Sequence, residues 1–117
     1  MRVLVVDDET IISGALQRIL TRAGHEVAVA NHGVDAMHLI ERAEDAFDFC
    51  FVDLLMPEIS GAVVLDLLKK RMPNAVIFMM TAYGDAAVRE DLMQRGAAKV
   101  LPKPFEDITK VPSFLVK

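Results

Sequence analysis

The chain has 117 residues, 53% of them hydrophobic, one cysteine and a formal charge of −4. That is the length of one domain with enough apolar residues for a full core, so residues 1–117 read as a single domain needing no disulfides. The acidic balance gives no footprint for direct nucleic-acid binding, no apolar run approaches the roughly 18 residues of a membrane span, and the start "MRVLVVDDE" turns acidic too soon for a signal peptide.

The sequence is therefore expected to form a cytoplasmic globular domain, with Cys50 a small buried hydrophobe in a reducing compartment. Residues 3–6, "VLVV", predict a first strand. Ile12, Ala15, Leu16, Ile19, Leu20 and Ala23 then follow helical spacing, and Gly24 is a natural stop. "EVAVA" (26–30) predicts a second, more exposed strand, followed by a helix with Ala36, Leu39, Ile40 and Ala43 on one face. "FDFCFV" (47–52) predicts a third strand. Ser60 can cap a third helix whose stripe is Val64, Leu65, Leu68 and Met72, ended by Pro73. "AVIFMM" (75–80) predicts strand four. Asp85 can cap helix four, with Val88 and Leu92 inward and Gly96 as its stop, and "KVL" (99–101) is a short fifth strand. Phe105, Ile108 and Val111 start a fifth helix of about two turns, or one kinked at Pro112, which cannot donate to a helical ladder.

Five strand–helix units predict a doubly wound α/β fold with a parallel sheet covered on both faces. The near-continuous apolar strands three and four agree, since a central strand is buried on both sides. The expected order is 2-1-3-4-5, the flavodoxin-like arrangement, with a crevice between strands one and three where the order reverses.

Ligands bind such sheets beyond the carboxyl ends of the strands. Strand one ends in Asp7-Asp8, strand three in Asp53 and strand four in Thr81, while strand five runs into Pro102-Lys103-Pro104. Strand two, away from the crevice, ends in a plain Ala30-Asn31. A lone acid at a strand end is usually a turn residue or a helix cap, and Asp7 or Asp8 can cap helix one. Agreement among four strand ends argues for more. Two unit charges about 4 Å apart repel by roughly 4 kcal/mol at an effective dielectric near 20, so three acids together raise their pKa values or hold a cation. A few hard oxygen ligands suit Mg²⁺, which keeps several waters and shares phosphate oxygens. An acid, a divalent cation, a lysine and a hydroxyl are the parts that hold a phosphoryl group, and a carboxylate can itself be the nucleophile. Asp53, alone at the end of the central strand, is best placed for that part. His25, His32 and His38 lack paired metal-ligand spacing and read as surface residues, and the seven methionines as core filling.

"VVDDE" (5–9), "VDLLMPEISG" (52–61), "TAYGD" (81–85) and "LPKPF" (101–105), in that order, resemble the CheY-like receiver domain of two-component response regulators, from residue 1 to about 105. This family is itself a standing example of the 2-1-3-4-5 order, so topology and resemblance are not independent. The resemblance implies that Asp53 accepts a phosphoryl group from a sensor histidine kinase or phosphotransfer protein. It implies that Asp8, Asp53 and the Leu55 backbone carbonyl ligate Mg²⁺, with Asp7 acting through water, and that Thr81 and Lys103 contact phosphoryl oxygens. It also implies a cis peptide before Pro104, and a helix 4–strand 5–helix 5 face used for a homodimer or a downstream protein. A C-terminal output domain is a further expected partner. "TAYGD" is similar to receivers attached to bacterial enhancer-binding activators. The family's usual aromatic three residues before the lysine is here Val100, which shifts the expected conformational switch to the loop holding Tyr83 and Gly84. Leu55 and Tyr83 should flank the phosphoryl site and limit attacking water.

Three other readings compete. A haloacid-dehalogenase-type phosphatase needs acids two apart after strand one, but the string here is Asp7-Asp8-Glu9-Thr10. Flavin binding on this topology needs a hydroxyl- and glycine-rich phosphate loop, which "DDETII" is not. The remaining alternative is a receiver-like interaction module that is never phosphorylated; Val100 leaves it open, and Asp53, Thr81 and Lys103 argue against it.

Overall fold

The computed structural model describes residues 1–82 and 84–116. In chain order these form β1 (Arg2–Val6), α1 (Thr10–Arg22), β2 (Glu26–Ala30), α2 (Gly33–Arg42), β3 (Phe49–Asp53), α3 (Gly61–Arg71), β4 (Val76–Thr81), α4 (Ala86–Gln94), β5 (Lys99–Pro102) and a 3₁₀ helix (Ile108–Phe114). All four strand pairings are parallel and the order is β2-β1-β3-β4-β5, as the alternation predicts. In the register, Val6 lies opposite Val52 and Asp53 opposite Met80. The residue that follows β1, Asp7, therefore emerges beside Asp53.

Successive strand residues point to opposite faces, and here both faces are covered. Leu4, Val6, Cys50, Val52, Ile77 and Met79 pack with Ala36 and Ile40 of α2, Val64, Leu65 and Leu68 of α3, and Leu92 of α4. Val3, Val5, Phe49, Phe51, Phe78 and Met80 pack with Leu16 and Leu20 of α1 and with Val111 and Leu115 near the C-terminus. Every residue of β3 is buried, so the strand carrying Asp53 is the least yielding part of the sheet. Cys50 is fully buried, and burial pushes its thiol up to about 12, leaving it inert at neutral pH.

The helix ends follow their capping chemistry. Ser60 Oγ accepts the Ala62 N–H at 3.2 Å, and Asp85 Oδ1 accepts the Val88 N–H at 2.9 Å. Arg95, just past α4, ties that helix to α3: its guanidinium reaches both Asp66 oxygens at 2.6 and 3.1 Å, Asp91 at 3.2 Å and the Ala62 carbonyl at 3.3 Å.

Four expectations need correction. Neither Asp7 nor Asp8 caps α1. Its N-cap is Glu9, with no side-chain cap, and Asp7 Oδ1 instead accepts the Glu9 N–H at 2.9 Å. Leu39 is 36% exposed, because α2 meets the sheet through Ala36 and Ile40 and leaves Leu39 on its flank. β3 and β4 each end one residue later than predicted, taking in Asp53 and Thr81, and also start later, at Phe49 and Val76. The last helix has the expected length of about two turns but is 3₁₀ and begins at Ile108, leaving Phe105 outside. Pro112 lies within it. Lacking an N–H, Pro112 could not continue an α-helical ladder.

Candidate functional site

The sheet's carboxyl edge gathers the predicted acids. Asp7 and Asp53 are buried, at 0% and 4% exposure, and Asp8 is half-buried. One carboxylate oxygen from each of Asp7, Asp8 and Asp53 lies within 4.8 Å of the others, a grouping able to hold a metal ion. The Lys103 ammonium enters from the far side of the crevice. Its Nζ is 2.9 Å from Asp7 Oδ2, 2.8 Å from Glu9 Oε1 and 3.4 Å from Asp53 Oδ2. The Lys103 N–H donates to the Thr81 carbonyl at 3.0 Å, and the Lys103–Pro104 peptide is cis. The hydrogen bond fixes where the lysine leaves β5.

Above these groups opens a cleft of about 220 Å³ lined by Asp8, Glu9, Asp53, Leu55, Ala82 and Lys103. Thr81, 4% exposed, ends β4 and lines an adjoining cavity of about 200 Å³ with Gly84, Arg89 and Val100. The structure thus brings Asp7, Asp8, Asp53 and Lys103 into one cluster, puts Leu55 at its rim and sets Thr81 on the neighbouring strand. Tyr83 lies outside the described residues.

The charges set the chemistry. Burial first, then the negative charge of Asp7, pushes the Asp53 carboxyl up to about 7; Lys103 pulls against both, and a hydrogen bond with Asp8 adds to the rise. Burial works against the Lys103 ammonium. Hydrogen bonds to Glu9 and Asp7, and the charges of Asp7 and Asp53, outweigh it and hold that group well above its ordinary range. Among the described residues, Asp7, Asp8, Glu9 and Asp53, when ionised, meet one positive charge, that of Lys103. A divalent cation among the three aspartates would relieve that excess, and their all-oxygen donor set fits a hard cation.

Two contributors escaped the sequence reading. Asn31, taken there as a plain strand end, donates through Nδ2 to the Asp7 carbonyl at 2.9 Å and to Ser13 Oγ at 2.8 Å. It thereby holds the backbone that presents Asp7. Glu9, quoted within a motif and given no task, is a direct partner of Lys103. An amide at the end of the strand next to β1 was the one available signal for Asn31.

The fold and this cluster define a doubly wound α/β domain that sets a carboxylate, a group of acids able to hold a cation and a lysine at its switch point. The profile of the response regulator receiver domain matches residues 3–111, and the chain belongs to that family. It is 34% identical over 105 residues to the response regulator protein FleR of Pseudomonas aeruginosa, covering 90% of this chain and 22% of FleR. It is also 34% identical over 105 residues to the response regulator MprA of Mycobacterium leprae, covering 90% of this chain and 45% of MprA. The chain therefore spans less than half the length of these relatives. Among solved structures, a response regulator protein from Burkholderia pseudomallei with a phosphorylated aspartic acid, calcium ion and citrate matches with a TM-score of 0.87. That match has 29% identity and covers 99% of this chain and 66% of that one. No helix among the described residues is long and apolar enough to cross a membrane.

Proposed function

We propose that residues 1–117 form one receiver domain that accepts a phosphoryl group on Asp53 from a sensor histidine kinase or phosphotransfer protein, in a Mg²⁺-dependent reaction in the cytoplasm. The observation that carries this reading is the Asp53 carboxylate, held at the end of the central strand 3.4 Å from Lys103, among acids able to hold a cation. In the transfer, an ionised Asp53 oxygen forms a bond to phosphorus as the phosphorus–nitrogen bond of the donor phosphohistidine breaks. The departing imidazole nitrogen keeps the electron pair and takes up a proton. Asp8, Asp53 and the Leu55 carbonyl would hold Mg²⁺, with Asp7 acting through water; bound there, the ion supplies positive charge to the phosphoryl oxygens. Lys103 neutralises a second oxygen, and Thr81 orients a third through its hydroxyl. The domain acts on itself and passes the signal on by a change of shape, to an output domain, a downstream protein or a second copy.

Gly84 supports a switch carried by the β4–α4 loop, since a Cβ there would stand 3.4 Å from Thr81 Cγ2. Leu55, which lines the cleft, is 55% exposed, and Ile11, two residues after Glu9 in the first turn of α1, is 83% exposed. These give a phosphodonor helix an apolar surface to rest on.

Intact mass after incubation with acetyl phosphate tests the reading. One added phosphoryl group is expected only with Mg²⁺ present and Asp53 intact. A folded protein that gains none under any condition, and none from histidine kinases, is instead the phosphorylation-independent interaction module. A second expectation concerns the lifetime of the adduct. Leu55 overhangs the cleft, so Leu55→Asn should admit water and shorten the phosphoryl half-life several-fold, followed as decay of the mass adduct. An unchanged half-life would show that Leu55 does not shield the bond.

A further inference from the structure

We propose that Glu9 is a positioning residue that occupies, on the Lys103 ammonium, the place a phosphoryl oxygen takes. The inference rests on the phosphoacceptor reading and extends it. An ammonium has three N–H donors, and around Lys103 Nζ stand three carboxylates: Glu9 at 2.8 Å, Asp7 at 2.9 Å and Asp53 at 3.4 Å.

The three are not equally free to leave. Asp7 is fully buried, and its backbone is fixed from both directions: its N–H donates to the Ala30 carbonyl at 3.1 Å and its carbonyl accepts from Asn31. Its second carboxylate oxygen accepts the Glu9 N–H. Asp53 is set in β3. The Glu9 side chain is 62% exposed, sits on a flexible stem and has no other hydrogen-bond partner among the described residues. Glu9 also lines the cleft that holds Asp53 and Lys103. Of the three acceptors it alone can swing into solvent, and an oxygen arriving on Asp53 can take its place. Glu9 thus keeps the ammonium occupied at the mouth of the site until a phosphoryl group competes for it.

The side chain does not hold α1 together, since it makes no cap bond, so its replacement tests placement rather than folding. The measurement is the affinity for beryllofluoride at saturating MgCl₂, with KM and kcat for acetyl phosphate, in wild type, Glu9→Gln and Glu9→Asp. Gln keeps the shape and removes the charge; Asp keeps the charge and withdraws the oxygens by one methylene. An exposed ion pair is a modest competitor, so both variants should bind beryllofluoride about three- to fivefold more tightly. KM for acetyl phosphate should fall by a similar factor while kcat stays nearly constant. Unchanged or weaker binding in Glu9→Gln overturns the proposal. Tightening in Glu9→Gln alone also overturns it, in favour of a general field effect. A wild type that takes neither beryllofluoride nor phosphate overturns the phosphoacceptor reading itself, and this proposal with it; a responsive wild type beside an indifferent Glu9→Gln removes only the role of Glu9.

Discussion

Asp53→Asn will stabilise the metal-free protein at neutral pH while removing its capacity to accept a phosphoryl group. The sign follows from where the proton sits. The Asp53 carboxyl rises from 3.8 to about 7 on folding, first through burial and then through the charge of Asp7. Between those values the folded state holds a proton that the unfolded state has released, so stability falls as pH climbs from about 4 to about 7. Asparagine carries no such charge, so the variant escapes the loss. Full linkage over that span is worth roughly 4 kcal/mol, and screening by water in the open cleft brings the expected gain to about 2 kcal/mol. Urea unfolding in EDTA from pH 4.5 to 8.5 reads it directly: the variant's advantage should be small at the acid end and grow with pH. An advantage that does not change with pH would mean that the carboxylate is at ease in its site. Adding Mg²⁺ should stabilise wild type more than the variant, because the acids then share a cation.

Gly61→Ala should have the largest structural effect of any single methyl added near the site. A Cβ at Gly61 would fall 2.0 Å from the Asp53 carbonyl oxygen, 2.8 Å from its carbon and 2.9 Å from Leu54 Cα. All three are backbone atoms, and the Gly61 N–H already binds the Leu54 carbonyl at 2.8 Å. No side chain can swing aside; α3 or the end of β3 must move. Overpacking usually costs about 1–3 kcal/mol, and a backbone clash belongs at or above the top of that range, about 3 kcal/mol. Gly24 provides the contrast. Its φ is +95°, yet a Cβ there meets nothing within 4 Å, so Gly24→Ala should cost only the left-handed penalty of about 1 kcal/mol. Denaturant midpoints of the two variants, with the rate of phosphoryl uptake, separate the cases. Gly61→Ala should lose stability and uptake together, and Gly24→Ala only a little stability. Equal costs would mean that the β3–α3 turn has slack that its packing does not show.

The parts legible in the sequence were those that depend on one strand at a time. Apolar runs ending in Asp7, Asp53 and Thr81, with Lys103 just after the fifth strand, placed the chemistry at one sheet edge, because a parallel order brings those ends together. Ser60 and Asp85 announced their helices, since a cap bonds within its own turn. What stayed hidden depends on neighbours far along the chain. Asn31 serves Asp7 across 24 residues and Glu9 meets Lys103 across 94; no local pattern marks either. Asp7 looked like a cap candidate because the pull of a distant lysine is invisible from residues 5–9. Leu39 has helical spacing suited to burial, but the width of the face that α2 covers is a property of the assembled layers. Pro112 signalled a disturbed last helix without saying that a 3₁₀ winding would absorb it.

The 3₁₀ helix and Leu115 after it bear on where the domain can be trimmed. The Phe114 ring lies 6.2 Å from that of Phe78, tilted by 56°, and Leu115 is buried against the same layer, whereas the family match stops at residue 111. A boundary drawn at residue 111 would therefore strip Phe114 from Phe78 and remove Leu115 from the layer in which it is buried. The strand Phe78 belongs to ends in Thr81. Phe114 and Leu115 thus close the layer under β4, the strand that ends beside the cleft. The segment is a seam of the domain, and a truncation must fall beyond Leu115 to keep that layer closed.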